Sequence, residues 1–245
     1  FYDAVGALRD VVVNHLLQLV SAGAMEPPAG HGEGTLKNAQ VALWQAIRDA
    51  DPAHYVRGQY DGYAAIDGVA PDSHTETFAA LRLEIDNWRW SGVPFFLRTG
   101  KRLPVTQTEF RLVFQRPPRL SGLELPGEDD PEADQLVVRL DPTTGVRMRL
   151  CARRGDLPGA EPVEMDVEFA RQGGEAPSPY EVLLHAAMQG HSVRFARQDG
   201  VEERWRVMQP LLAKREFERY APGTWGPAGA RELTAGTGGW HEPWV

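Results

Sequence analysis

Between residues 55 and 169 apolar and polar side chains alternate again and again with a period of two, and this pattern constrains the fold more than any other. Leu81, Leu83 and Ile85 alternate with Arg82, Glu84 and Asp86. Phe110, Leu112 and Phe114 alternate with Arg111 and Val113, and Val163, Met165, Val167 and Phe169 alternate with acids. Successive side chains of a strand point to opposite faces, so each run reads as a half-buried strand. Tyr55 to Tyr60 and the apolar run Val93 to Arg98 are further candidates. Gln135 to Leu140 and Val146 to Cys151 form a pair joined by the turn Asp141-Pro-Thr-Thr-Gly145. Six or seven strands with short links predict a large, mainly antiparallel sheet.

Helical spacing frames that region. Leu8, Val12, His15, Leu16 and Leu19 make one apolar stripe, which fades at Ser21-Ala22-Gly23. Thr35 is placed to cap a second helix to about Ala50, with Leu36, Leu43, Trp44 and Ile47 inward, before Asp51-Pro52 stops it. Ser178-Pro179-Tyr180-Glu181 combines a cap, a first-turn proline and a capping-box acid; Asp199-Gly-Val-Glu202 is a second box. Pro210 should kink or end that last helix. In the tail Trp225, Trp240 and Trp244 are expected anchors, and Arg116 to Asp134 reads as a surface loop. The expected class is α+β, with helices packed on one face of the large sheet.

Chemistry concentrates at the beginning. His15 is the side chain best suited to take a proton near neutral pH. A lone histidine on an apolar helix face is more often a satisfied core residue than a catalyst. Asp10 lies five positions earlier, roughly 140° round an α-helix, so a direct hydrogen bond between them does not follow. Asn14 shares a face with Asp10 and can orient it. Arg98-Thr-Gly-Lys101-Arg102 places three cations at a strand end, where they can hold a phosphate or sugar hydroxyls or simply form a solvated turn. No metal-ligand spacing is present, since His185 and His191 fall on different helix faces. The dinucleotide fingerprint is missing: Gly30-His-Gly32 and Gly236-Thr-Gly238 each lack the third glycine. A net charge of -8 disfavours a nucleic-acid partner. Cys151 is the only cysteine, no run is long enough to span a membrane, and no basic leader precedes an apolar stretch. A cytoplasmic protein is the expectation.

Many blocks in one order carry a resemblance. Phe1-Tyr-Asp, Gly6-Ala-Leu-Arg-Asp10 and Asn14-His15-Leu-Leu-Gln18 are similar to the catalytic helix of the glucose-6-phosphate dehydrogenase family. Ala24-Met-Glu-Pro27, Val56-Arg-Gly-Gln-Tyr60, Ser73-His-Thr-Glu-Thr-Phe-Ala79, Asn87-Trp-Arg-Trp-Ser-Gly-Val-Pro-Phe95 and Arg98-Thr-Gly-Lys101 follow in the family's order. Glu203-Arg-Trp205, Pro210-Leu-Leu212 and Trp225-Gly-Pro227 continue it, so the resemblance covers almost the whole chain. It implies that residues 1–245 are the C-terminal α+β domain, without the N-terminal Rossmann domain that binds most of the NADP. It implies His15 as catalytic base, Asp10 as acceptor from a sugar hydroxyl and Lys101 as a substrate contact, with no cofactor-binding residue in this chain. Its implied partners are glucose 6-phosphate, the nucleotide domain, and a second copy through the sheet, with inactivity when the nucleotide domain is missing. Two departures stand out: Val13 where the family usually has Gln, and Thr106 where it often has a basic residue. A non-catalytic dimerisation or assembly relative, and a sugar-phosphate binding module, are the competing expectations.

Overall fold

The computed structural model describes residues 1–115, 133–153, 160–169 and 178–244; the expected loop from Arg116 to Asp134 lies almost entirely outside them. The chain divides into two compact units, Phe1–Val105 with Ser178–His241, and Thr106–Pro177 with Glu242–Val245.

The first unit is built on strands Tyr55–Tyr60 (β1), Phe78–Glu84 (β2) and Pro94–Gly100 (β3), which pair antiparallel in the order β3-β2-β1. The sheet ends on Glu218–Tyr220, parallel to β1. Alternation along β2 sorts its side chains. Ala79, Leu81 and Leu83 join a core with the helices, whereas Phe78 and Ala80 join Tyr60, Tyr63 and Tyr220 on the opposite face. Helices therefore cover one face, and the tail covers the other through Ala230, Leu233 and Trp240.

The opening helix departs from the expected α-geometry. Leu8–Leu16 is a π-helix, and it continues into the α-helix Leu17–Ala24 (α1). At the join the Leu17 N–H donates to the Val12 carbonyl, five residues back. In this register the buried face steps by four and five residues: Leu8, Val12, Val13, Leu17. His15 thereby leaves the apolar stripe and is exposed. Val13, at the departure from the family pattern, is core.

Helix Glu33–Ala46 (α2) stops four residues before the expected Ala50. Ile47 turns extended to bridge Ile85, and the Arg48 N–H donates to the Glu84 carbonyl at 3.0 Å, so β2 captures the chain before the helix signal runs out. Thr35 sits in the first turn of α2 rather than at its cap, and its hydroxyl donates to the Gly32 carbonyl at 2.7 Å. Helix Pro179–Met188 (α3) begins as expected, with Ser178 Oγ accepting from the Glu181 N–H. Helix Gln198–Met208 (α4) does not use the expected Asp199 box. Asp199 lies inside its first turn and pairs with Arg197 instead. Pro210 falls in the 3-10 turn that ends α4, and a short helix Gly229–Glu232 (α5) follows in the tail.

Arg204 ties α4 to the π-helix. It is 3% exposed, lies over the Trp44 ring, and donates to the carbonyls of Val13 and Gly200 at 3.2 Å. Burial pulls its pKa below the ordinary guanidinium range.

The second unit holds strands Thr108–Val113 (β4), Gln135–Asp141 (β5), Gly145–Arg153 (β6) and Ala160–Glu168 (β7), paired antiparallel in sequence order. Among the described residues the expected large sheet is thus two four-stranded, mostly antiparallel sheets, one in each unit. A period of two tells which face a side chain takes but not which strand is the neighbour. The register puts Phe110, Val138, Val146 and Val167 in one row, and Leu112, Leu136, Met148 and Met165 in the next, on one apolar face. Arg139, Arg147 and Asp166 occupy the other face, where Trp244 stacks on both arginines.

Among the described residues no helix is long and apolar enough to cross a membrane. No group of three or more His, Cys, Asp or Glu among them is arranged to hold a metal ion.

Arg204→Met keeps the packed stem but leaves the buried Val13 carbonyl without its donor. The expected loss is about 1–3 kcal/mol, read by urea unfolding, with no loss if the carbonyl finds water.

Candidate active site

The N-terminus of the π-helix is held by the segment that leads into β2. The Ala7 N–H donates to the Glu76 carbonyl, and the Leu8 N–H donates to Glu76 Oε1, each at 3.0 Å. The first N–H groups of a helix have no internal acceptor, and a carboxylate there also meets the positive end of the helix dipole. Glu76 Oε2 accepts from Arg57 Nη2 at 2.7 Å, and both side chains are 8% exposed. Arg57 also donates to the carbonyls of Lys214 and His74 at 2.9 and 3.0 Å. Gly6 makes the approach possible. Its φ is +73°, and a Cβ there would lie 2.6 Å from the Glu76 carboxylate.

Asp3 adds a second anchor. Its carboxylate accepts from the hydroxyls of Ser73 and Tyr63 and from the Ala70 N–H, and its carbonyl accepts from Thr75. The Ser73 hydrogen bond above all holds its carboxyl below the usual carboxylate range.

This anchored helix presents Asp10 half-buried and Asn14 and His15 exposed. The π register changes the relation that α-spacing predicts. Its hydrogen bonds run from i to i+5, so five residues return the chain to nearly the same side, and His15 follows Asp10 by one such step.

Lys101 reaches the same region from the end of β3, which packs against the π-helix. A Cβ on Gly100 would lie 2.7 Å from the Phe78 ring, so a close strand contact requires glycine there. The Lys101 N–H donates to the Thr77 carbonyl, and its own carbonyl accepts from the Tyr220 hydroxyl at 2.7 Å. The exposed ammonium lies 4.8 Å from the centre of the Tyr2 ring. Tyr2 resists ionisation, first through burial and then through nearby charge that includes Glu76 and Asp10. Lys101 thus lies over Tyr2, while Asp10 is the weakest of the charges that act on it.

Arg98 of that turn does not converge with Lys101. The Arg98 guanidinium lies over Trp225 and Trp240, at 4.8 and 4.6 Å from the ring centres. Arg102 adopts the left-handed conformation with φ 56°, and its carbonyl accepts from the Gly223 N–H. Residue alternation along the strand separates Arg98 from Lys101, which composition alone did not show.

What the arrangement offers is an exposed imidazole, a carboxylate one π-turn before it, and an ammonium held by backbone bonds. These are a proton acceptor, a hydroxyl acceptor and a cation. The supporting residues Tyr2, Asp3, Arg57, Glu76 and Tyr220 had no role assigned from sequence. The signals were there: a glycine before a helix, and an arginine in an otherwise apolar strand.

A family model described as glucose-6-phosphate dehydrogenase, C-terminal domain, matches residues 1–244. Glucose-6-phosphate 1-dehydrogenase 1 of Mycobacterium tuberculosis is 47% identical over 246 residues, which cover 100% of this chain and 52% of the relative. Glucose-6-phosphate 1-dehydrogenase of Aggregatibacter actinomycetemcomitans is 38% identical, over 99% of this chain and 52% of its own length. The crystal structure of glucose-6-phosphate 1-dehydrogenase from Mycobacterium avium superposes with a TM-score of 0.90 at 48% identity, covering 100% of this chain and 52% of that one. A glucose-6-phosphate dehydrogenase in complex with glucose-6-phosphate gives a TM-score of 0.83 at 28% identity, over 99% and 52% of the two chains. The chain spans about half the length of the curated relatives it matches.

Glu76→Gln keeps an acceptor for the helix but leaves Arg57 buried without its counter-charge. A loss of about 3–5 kcal/mol in urea unfolding is expected, and a loss within error means the pair does not hold the helix.

Asp3 gives a pH dependence. Its folded carboxyl titrates below its unfolded value, so the folded form holds less proton. This contribution is complete above the unfolded pKa, about 3.9, and is lost as pH falls through the folded value. Asp3→Asn should lower Tm at neutral pH, with the gap to wild type closing in acid; a constant gap removes Asp3 from the account.

Proposed function

Because the chain belongs to the glucose-6-phosphate dehydrogenase C-terminal domain family, we propose that it is the substrate-binding and base-supplying half of an NADP-dependent enzyme. That enzyme oxidises glucose 6-phosphate to 6-phosphogluconolactone, a pentose phosphate pathway reaction, in the cytoplasm. The observation that carries this reading is the exposure of His15 one π-turn after Asp10, on a helix whose start is clamped by Glu76. A buried histidine would have been a packing residue. An exposed one on a fixed helix is available to a substrate.

In this reading His15 takes the proton of the sugar C1 hydroxyl as hydride leaves the same carbon. A neutral imidazole near pH 7 is suited to that transfer. Asp10 accepts a hydrogen bond from a sugar hydroxyl and fixes the ring against the base. Lys101 supplies a cation to the sugar or its surroundings, with its backbone pinned by Thr77 and Tyr220.

Among the described residues the two sheets are antiparallel except for one short parallel pair, whereas a Rossmann-type dinucleotide site is built on parallel βαβ units. NADP binding belongs to a nucleotide domain outside residues 1–245, and the proposal includes inactivity without it.

A second copy is the other partner in this reading. The second sheet exposes Val163, Met165 and Val167 in a row, on a face lined by the apolar residues of β4, β5 and β6. A symmetric pair of such faces is a self-complementary interface. The same face is what favours the alternative, a non-catalytic relative that only assembles with a dehydrogenase.

Kinetics separate the two readings. In the enzyme containing this domain and its nucleotide domain, His15→Asn should lower kcat by about 100- to 10,000-fold while KM stays near wild type. Ordinary turnover in that variant supports the assembly reading. Asp10→Asn should lower kcat and raise KM together, and unchanged kinetics remove Asp10 from the site. Light scattering should give a dimer that Met165→Asp converts to monomer; a wild-type monomer at high concentration counts against the sheet interface.

A further inference from the structure

A cleft of about 190 Å³ opens at the start of the π-helix, lined by Arg9, Arg57, His74, Glu76, Lys214 and Arg215 among others. We propose that it binds a phosphate dianion, either inorganic phosphate or the phosphoryl end of a small phosphomonoester. The cleft is distinct from the sugar site above. None of Asp10, His15 and Lys101 is among the residues that line it.

Charge carries the argument. On a chain of net charge -8, the cleft gathers the fixed cations of Arg9, Arg57, Lys214 and Arg215, together with the titratable ring of His74. The carboxylates facing them are Glu76, bonded to Arg57, and Glu216, whose carboxyl is held low first by backbone N–H groups and then by Lys214 and Arg57. Two positive charges remain, which matches a dianion. Lys214 Nζ is held at the cleft by hydrogen bonds to the carbonyls of Pro52 and Tyr55, at 2.9 and 2.6 Å. Arg9 makes one long bond, at 3.4 Å, to the Ala4 carbonyl.

Geometry favours phosphate over a single carboxylate. Guanidinium groups offer planar forks of donors, and a tetrahedral dianion accepts from several directions at once. The volume has room for a phosphate-sized group rather than a large ligand. Lys214 Nζ lies 5.9 Å from the centre of the buried Tyr55 ring, and Arg57 and Glu76 act on the Tyr55 hydroxyl. Arg57 belongs to the wall and also holds Glu76, which caps the π-helix. An anion on Arg57 therefore competes with Glu76, so that occupancy of the cleft and order at the helix start are linked.

Calorimetric titration of the protein with inorganic phosphate, at low ionic strength, tests the site without reference to catalysis. Wild type and His15→Asn should bind phosphate alike, and Arg215→Glu should weaken binding by about tenfold or more. Arg215 is exposed, so this variant should keep its Tm. Repeating the titration with glycerol 3-phosphate tells the sources apart: tighter binding than inorganic phosphate assigns the cleft to phosphomonoesters, and weaker binding to free phosphate. Absence of millimolar binding, or equal binding by Arg215→Glu, overturns the proposal. Loss of binding in His15→Asn but not in Arg215→Glu overturns it as well, because the phosphate then sits in the sugar site. Failure of the catalytic reading shows instead in the His15→Asn kinetics, so the two outcomes are separable.

Discussion

The Glu76 carboxylate faces the buried Arg57 guanidinium on one side and the first turn of the π-helix on the other. Through this one group the lead into β2, the middle of β1 and the start of the helix are fixed to each other. Removing charges from water is costly, and such a pair contributes little net stability compared with an apolar substitute. Its value lies in direction. Apolar packing lets a helix slide or rotate by a fraction of a turn, whereas a carboxylate bonded to one N–H does not. Gly6 is the corresponding cost in the sequence, a left-handed residue with no room for a Cβ beside Glu76.

That constraint gives the π register its use. An α-helix through Leu8, Val12 and His15 would bury the histidine along with the leucines. With hydrogen bonds from i to i+5, Val12, Val13 and Leu17 fill the core and His15 turns outward. Arg204 holds the far side of the same segment by donating to the Val13 carbonyl from α4. The helix is thus gripped at its N-terminus by a carboxylate and in its middle by a buried arginine, with Asp10 half-buried between these contacts and His15 exposed just beyond the second. Catalytic geometry needs this kind of support, since a misplaced base loses most of its effect.

Much of this was legible in the sequence, and the rest was missing for physical reasons. The strands from Tyr55 to Phe169 were visible because β-alternation is local. Their division into two sheets was not, because strand partnership is decided by residues far apart. The three-residue strand Glu218–Tyr220 was missed because so short a run carries no period. Helix α2 was read too long because its propensity continues past Ala46, while β2 takes Ile47 and Arg48 away from it. His15, Asp10 and Lys101 were proposed for the site by motif. Whether His15 was buried or exposed depended on the π register, which a helical stripe does not reveal. The Arg98–Arg102 segment, open from sequence to either a binding cluster or a solvated turn, has Arg98 over two tryptophans and Lys101 over Tyr2.

The central claim is that the clamped helix presents His15 to the reacting carbon of a sugar. A crystal structure of the enzyme with glucose 6-phosphate bound tests it most directly. The account predicts the C1 hydroxyl within hydrogen-bond reach of a His15 ring nitrogen, a second sugar hydroxyl on Asp10, and the π-helix unmoved against Glu76. A sugar bound away from His15, or a helix rewound to α-geometry with His15 turned into the core, would contradict it.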